Sequence, residues 1–359
     1  MSASSYASSA PRRLDGLDGL RGIAALCVAA MHALIGWLPV HRGYLAVDFF
    51  FILSGFVIAR TYEPRFAAGL GVRAYMIQRL ERLYPLLFLG SLIGVIAWIA
   101  GARVYALSAP GDLALALVSQ FTLVPYLSSA ASFAFNAALW SISFELLANL
   151  AHALVARRLG TPALGAVVAG AWLLLVRLVV HYGSFNIGWT LGSIAGGFGR
   201  VLFGFFLGVL LCRTEWRWRP ALPFPLLAAV LVALVNFPVD PRDGSTIGWI
   251  YDIVVATVAF PLLVMSGVAM RAPGRVAVAL GVMSFPLYAI HVPLLDAARL
   301  AGVAPLLRLL ALAPLAVLGW AIGQYVDAPL GRRRRAARNL AQPPASRVSV
   351  ARNPAESAW

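Results

Sequence analysis

Lysine is absent from the 359 residues, and the 29 basic side chains are all arginine. Only two cysteines occur, Cys27 and Cys212, each inside or at the end of an apolar run, which excludes a disulfide framework and a cysteine metal cluster. Charged residues make up 12% of the chain against 61% hydrophobic ones, and the mean hydropathy is +0.82, far too apolar for a water-soluble domain. The apolar runs show no period-2 alternation, so a lipid-facing β-barrel is excluded as well. A net charge of +15 would ordinarily point to nucleic acid, but the arginines fall between apolar runs and near the C-terminus, where a membrane protein keeps its positive charge. Residues 1–16 are polar, lack an apolar core, and are expected to form a short cytoplasmic tail and no cleavable signal peptide.

What the sequence does contain is a series of apolar runs near 20–40, 43–60, 83–102, 112–127, 138–156, 162–181, 195–212, 221–238, 247–269, 277–298 and 303–325. Hydrocarbon offers the backbone no hydrogen-bond partners, so these runs must be helices. If all of them crossed, Arg157, Arg158, Arg213, Arg217, Arg219 and the basic tail would lie outside, against the charge bias. If "DLALALVSQFTLVPYL" dips in and returns, these join Arg12, Arg13, the arginines of the 60–82 loop, Arg271 and Arg275 on the cytoplasmic side. The expected fold is therefore an all-α polytopic membrane protein: about ten transmembrane helices plus one re-entrant or interfacial segment, both termini cytoplasmic. The transmembrane domain is expected over 17–328, an amphipathic helix in the 60–82 loop, and a disordered basic tail over 329–359.

Ionisable groups at membrane depth are costly unless they face water or a partner. In "LDGLRGIAALCVAAMHALIGW" His32 stands about halfway along the run, and Arg21 precedes it by eleven residues, close to three turns, so both share a face about 16 Å apart. Arg21 read alone is a positive-inside anchor and His32 an interhelical hydrogen-bonding group; read together they line one path, with Arg21 able to hold a phosphate at its mouth. Arg79 and Arg82 lie at i, i+3, a spacing that suits either a multiply charged phosphate or plain positive-inside charge. Asp48, Glu145 and His291 fall at similar depth on three different runs and predict one polar cavity open to the outside. Beside them stand Ser54 and Gly55, a small pair that permits close backbone approach, and Trp140 or Ser141 on the face of Glu145. No metal site is expected.

The motifs "LDGLRGIAALCVAAMH", "AVDFFFILSGFVIA", "RLERLYP", "LWSISFELL" and "FPLYAIH" occur in one order along nearly the whole chain. In this the chain resembles the acyltransferase family 3 membrane proteins, which O-acylate cell-surface sugars, lipid-linked saccharides or secondary metabolites. The resemblance implies an integral protein of the bacterial cytoplasmic (inner) membrane with no bound cofactor. Its co-substrate would be an acyl-CoA, usually acetyl-CoA, approached from the cytoplasm, and its acceptor a hydroxyl of a saccharide or lipid-linked sugar. Arg21, Arg79 and Arg82 would then take the CoA phosphates, and His32 would be the central catalytic residue. Glu145 or Asp48 would orient the imidazole or the acceptor, and Tyr288 with His291 would hold sugar hydroxyls. Imidazole can act as base or as nucleophile, and both routes stay open. "SFELL" has no second acid after Glu145, so no paired carboxylate is expected there. The competing function is a membrane transporter or flippase for a polar substrate, which predicts inverted repeats, and no convincing internal symmetry is present.

Overall fold

The computed structural model describes residues 14–35, 42–105, 112–126, 132–214, 220–238, 246–270 and 274–341, and every regular element among them is helical. In chain order these are α1 (Asp15–Ala33), α2 (Ala46–Ala67), α3 (Val72–Tyr105), α4 (Leu113–Thr122), α5 (Leu139–Val155), α6 (Thr161–Tyr182) and α7 (Ile194–Arg213). They continue with α8 (Phe224–Val235), then α9 (Thr246–Val254) joined through a π turn to α10 (Phe260–Ala269), and α11 (Gly274–Leu300). The last are α12 (Pro305–Leu310), α13 (Leu312–Ile322), a second π turn at Gly323–Asp327, and α14 (Ala328–Ala341). Arg12, Arg13, Arg217, Arg219, Arg271, and residues 342–359 lie outside the described residues.

Among the described residues seven helices are long and apolar enough to cross a membrane, so this is an all-α membrane protein, with fewer qualifying spans than the ten read from sequence. The difference lies in length and charge. α4, α5 and α8 have 10, 17 and 12 residues. α1 carries Asp15, Asp18 and Arg21 in its first two turns and is not among the seven. At ten residues α4 is about 15 Å long, half the hydrocarbon thickness, and it stops at Leu123 in a left-handed conformation. Large apolar side chains point outward from the bundle, among them Leu173 at 62% and Val317 at 65% exposure, which only lipid accommodates in such numbers.

Three further expectations change. The 60–82 loop holds no separate amphipathic helix, because α2 runs to Ala67 and α3 starts at Val72 and continues unbroken through Pro85. Pro85 has no N–H to give the Glu81 carbonyl, and Arg334 of α14 donates to that carbonyl instead. The stretch from 329 is helical as far as Ala341, docked by this contact, where a disordered tail was expected. His32 stands in the last turn of α1, which ends one residue later, and not at the middle of a helix.

Two parallel helix pairs frame the interior. α1 runs beside α11, its Gly22 so close to the Leu280 carbonyl that an added Cβ would lie 2.4 Å away. α2 runs beside α7, where a Cβ on Gly55 would lie 1.9 Å from the Phe205 carbonyl and one on Gly208 2.0 Å from that of Ile52. Buried charges then tie the second pair to its neighbours. Arg200 of α7 grips both carboxylate oxygens of Asp48 at 3.1 and 2.7 Å, donates to the Tyr44 and Ile187 carbonyls at 2.8 and 2.9 Å, and lies over the Trp140 ring at 5.1 Å. Arg42 pairs with Asp252, which also accepts from Tyr44 Oη at 2.7 Å. At the opposite end of α2 and α7, Glu63 accepts from Arg213 at 2.7 Å and lies 2.9 Å from His152 Nε2.

Breaking one member of a buried pair strands the other charge. Arg200→Met is expected to lower stability by about 3–5 kcal/mol, read as a fall in the thermal unfolding midpoint in detergent, and Asp48→Leu/Arg200→Met to recover most of it. An unchanged midpoint in the single variant contradicts the assignment.

Candidate functional site

Five helices (α1, α2, α3, α5 and α11) leave a cavity between them, with about 850 Å³ of unfilled space including its open mouth. α1 contributes Arg21, α3 contributes Arg79 and Arg82, α5 contributes Ser141 and Glu145, and α11 contributes Ser284 and Tyr288. The rest of the wall is largely apolar and comes mainly from α2, with Ser54 as its polar member. Arg79 and Arg82 reach the cavity together because i, i+3 spacing on a straight helix puts them on one face.

Each of the first two guanidinium groups is held in place. Arg21 donates from Nε to Ser284 Oγ at 2.8 Å and from Nη2 to the Gly281 carbonyl at 3.2 Å, and lies 3.3 Å from Asp18. Arg79 donates from Nη2 to Glu145 Oε1 at 3.1 Å, and the same oxygen accepts from Ser54 Oγ at 2.6 Å. Glu145 is in turn steadied from its own helix, since Asn149 Nδ2 donates to the Glu145 carbonyl at 2.8 Å and Asn149 accepts from Tyr75. Arg79 Nε is buried without a hydrogen-bond partner among the described residues, a costly arrangement for a charged donor. Arg82 borders the cavity within electrostatic reach of Asp327 in the second π turn.

Tyr288 is the last residue of α11 to line the cavity; its Oη lies 2.6 Å from Ser141 Oγ and its ring meets that of Phe50 edge-on at 5.6 Å. His291 follows one turn later, its ring 5.5 Å from Tyr288 and 5.0 Å from His32 of α1. His32 Nδ1 lies 3.0 Å from the Val28 carbonyl, and His291 Nδ1 lies 2.9 Å from that of Tyr288. A carbonyl only accepts, so each Nδ1 carries the hydrogen and each Nε2 presents a basic lone pair. His291 is fully buried and its Nε2 has no hydrogen-bond partner among the described residues.

The structure thus gathers Arg21, Arg79, Arg82, Glu145, Ser54 and Tyr288 around one cavity and sets His32 and His291 together beyond it, outside its lining. Asp48, Gly55 and Trp140 lie elsewhere: Asp48 under Arg200, Trp140 against the same guanidinium, and Gly55 in the contact with α7. The single outward cavity expected from Asp48, Glu145 and His291 is therefore divided among three environments. The physical reason is charge matching, because each carboxylate has gone to the nearest arginine. Arg200 and Asp252, which the reading of the sequence passed over, carried the same signal as Asp48, a lone charge inside an apolar run. Ser284 had no such signal, being an ordinary small residue of a membrane helix until its neighbours are known.

Comparison with known proteins agrees with the motifs. The model of the acyltransferase 3 family, described as an acyltransferase domain, matches residues 14–324. "Protein 2 in picA locus" of Rhizobium radiobacter is 35% identical over 163 residues, covering 40% of this chain and 83% of that protein. A Bacillus subtilis (strain 168) protein named provisionally as the peptidoglycan O-acetyltransferase YrhL is 33% identical over 90 residues, 24% of this chain and 14% of that protein. A Staphylococcus aureus (strain COL) protein, named provisionally as an O-acetyltransferase, is 37% identical over 76 residues, 21% of this chain and 12% of that protein. The chain thus spans only a small part of these last two relatives. No solved structure matches it. With the family match extending over most of the chain and through every helix that borders the cavity, the protein belongs to the acyltransferase 3 family.

Proposed function

We propose that the protein moves an acyl group, acetyl in the first instance, from cytoplasmic acyl-CoA to a hydroxyl of a saccharide or lipid-linked sugar on the far side of the bacterial inner membrane. The observation that carries this reading is the cavity into which Arg21, Arg79 and Arg82 converge from two helices. Three guanidinium groups gather at one cavity with Asp18, Glu145 and Asp327 as their counter-charges, and Arg79 Nε keeps a hydrogen to give. The diphosphate and 3′-phosphate of CoA supply anions of the required kind, and arginine grips such oxygens with a fork of donors. The apolar wall from α2 suits a pantetheine arm, which would lead the thioester toward Tyr288 and the two histidines.

At the thioester the acceptor hydroxyl oxygen forms the new C–O bond, the C–S bond breaks, and the sulfur leaves as CoA thiolate. His32 Nε2 takes the hydroxyl proton and passes it to that thiolate. In the alternative route the imidazole itself attacks first and carries the acyl group to the hydroxyl, with the same products. Glu145 in this reading is a positioning residue that fixes Arg79, and the peptidoglycan named for the Bacillus relative is one example of the acceptor class.

His32→Ala is expected to reduce transfer of label from [14C]acetyl-CoA to membrane saccharide about 10²–10⁴-fold with acetyl-CoA binding retained; a wild-type rate removes His32 from the chemistry. Arg82→Gln is expected to raise the KM for acetyl-CoA about tenfold or more, read as CoA thiol release, while an unchanged KM contradicts phosphate binding there. Substrate movement across proteoliposomes lacking any acyl-CoA would contradict the whole reading.

A further inference from the structure

We propose that the Tyr288 ring, closed on Phe50 and latched to Ser141, is the partition between the donor cavity and the His32–His291 pair, and that it limits the length of acyl group the protein accepts. The proposal rests on the reading of the cavity as the acyl-CoA site. Phe50, Ser141 and Tyr288 all border the cavity, whereas the histidines lie past Tyr288, one turn along α11 and across to α1. An acyl carbonyl held at the arginine end must pass this ring to reach the imidazole of His32. His291 Nε2, buried and without a partner just behind the ring, marks that inner space as one able to receive a polar group.

Little holds the partition shut. Its contacts include one neutral hydrogen bond to Ser141 at 2.6 Å, a longer one to the Ala138 carbonyl at 3.4 Å, and an edge-on contact with Phe50. The helix that carries it is also loosened on both sides, because Pro286 and Pro293 lie inside α11 and cannot bond the carbonyls of Val282 and Ala289. The Ala289 carbonyl is taken by Asn136 Nδ2 at 2.9 Å instead, a side chain outside the helix ladder. Between those two breaks sit Tyr288 and His291, so a small tilt of this segment moves ring and imidazole together. A two-carbon acyl group asks for a small displacement of the ring, and each added methylene asks for more.

The test is the affinity of the full chain, in nanodiscs, for CoA, acetyl-CoA, butyryl-CoA and hexanoyl-CoA, in the wild type and in Tyr288→Ala. In the wild type hexanoyl-CoA is expected to bind no more tightly than acetyl-CoA. In Tyr288→Ala, with the ring gone, it is expected to bind about tenfold more tightly than acetyl-CoA, because the extra methylenes fill the volume that the ring leaves. Phe50→Ala removes the other half of the closure, shifts the preference the same way, and serves if Tyr288→Ala fails to fold. A wild type that already gains affinity with chain length, or two folded variants that keep the wild-type ranking, overturns the partition and leaves the donor site standing. Failure of the wild type to bind CoA or any of its thioesters removes the donor site and the partition with it.

Discussion

A guanidinium group inside a helical membrane bundle has to find an acceptor, and the interior of this protein is arranged around that requirement. Arg200 lies on Asp48, Arg42 on Asp252, and Arg213 on Glu63, and each pair fastens α2 or the short segment before it to a helix distant in sequence. These contacts satisfy the charges fully enough that they serve the fold. The arginines around the cavity are different. Arg21 and Arg79 each meet one carboxylate, Arg82 stands beside them at the same opening, and one buried Arg79 donor is left over. Three guanidinium groups from two helices share this one cavity, whereas each structural pair sets a single guanidinium on a single carboxylate, and that distinguishes a binding site in a chain with 29 arginines.

The same geometry separates two tasks that the motifs alone suggest are one. Arg21 and His32 share α1, and helical spacing places them on a common face, yet the intervening volume is interrupted by side chains from α2 and α11. Tyr288 belongs to both compartments: its hydroxyl and ring border the donor cavity, and its backbone carbonyl accepts from the imidazole of His291. On the proposed reading, a closed ring at this point holds a thioester longer than the space allows short of His32.

Much of the fold and of the arginine lining of the cavity was legible in the residues themselves. Apolar runs gave helices, the short 112–127 segment gave the short α4, and the i, i+3 spacing of Arg79 and Arg82 put both at one cavity with Arg21. What could not be read were the partners of single charges. Asp48 looked like a member of an active site because Arg200 lay 152 positions away in a run that is otherwise apolar, and only the packing of α2 on α7 brings them together. Helix ends were similarly out of reach: apolar composition continues past His32, but the helix stops at Ala33, and arginines that read as a loose tail extend a helix because Pro85 freed a carbonyl for Arg334.

The central claim is that the three cavity arginines bind the phosphates of an acyl-CoA whose thioester points toward Tyr288. An experimental structure of the protein with acetyl-CoA bound tests it most directly. The account predicts phosphate groups within hydrogen-bonding distance of Arg21, Arg79 and Arg82 and the acetyl group against the Tyr288 ring. Phosphates bound elsewhere, with that cavity filled by lipid or left to water, would contradict it.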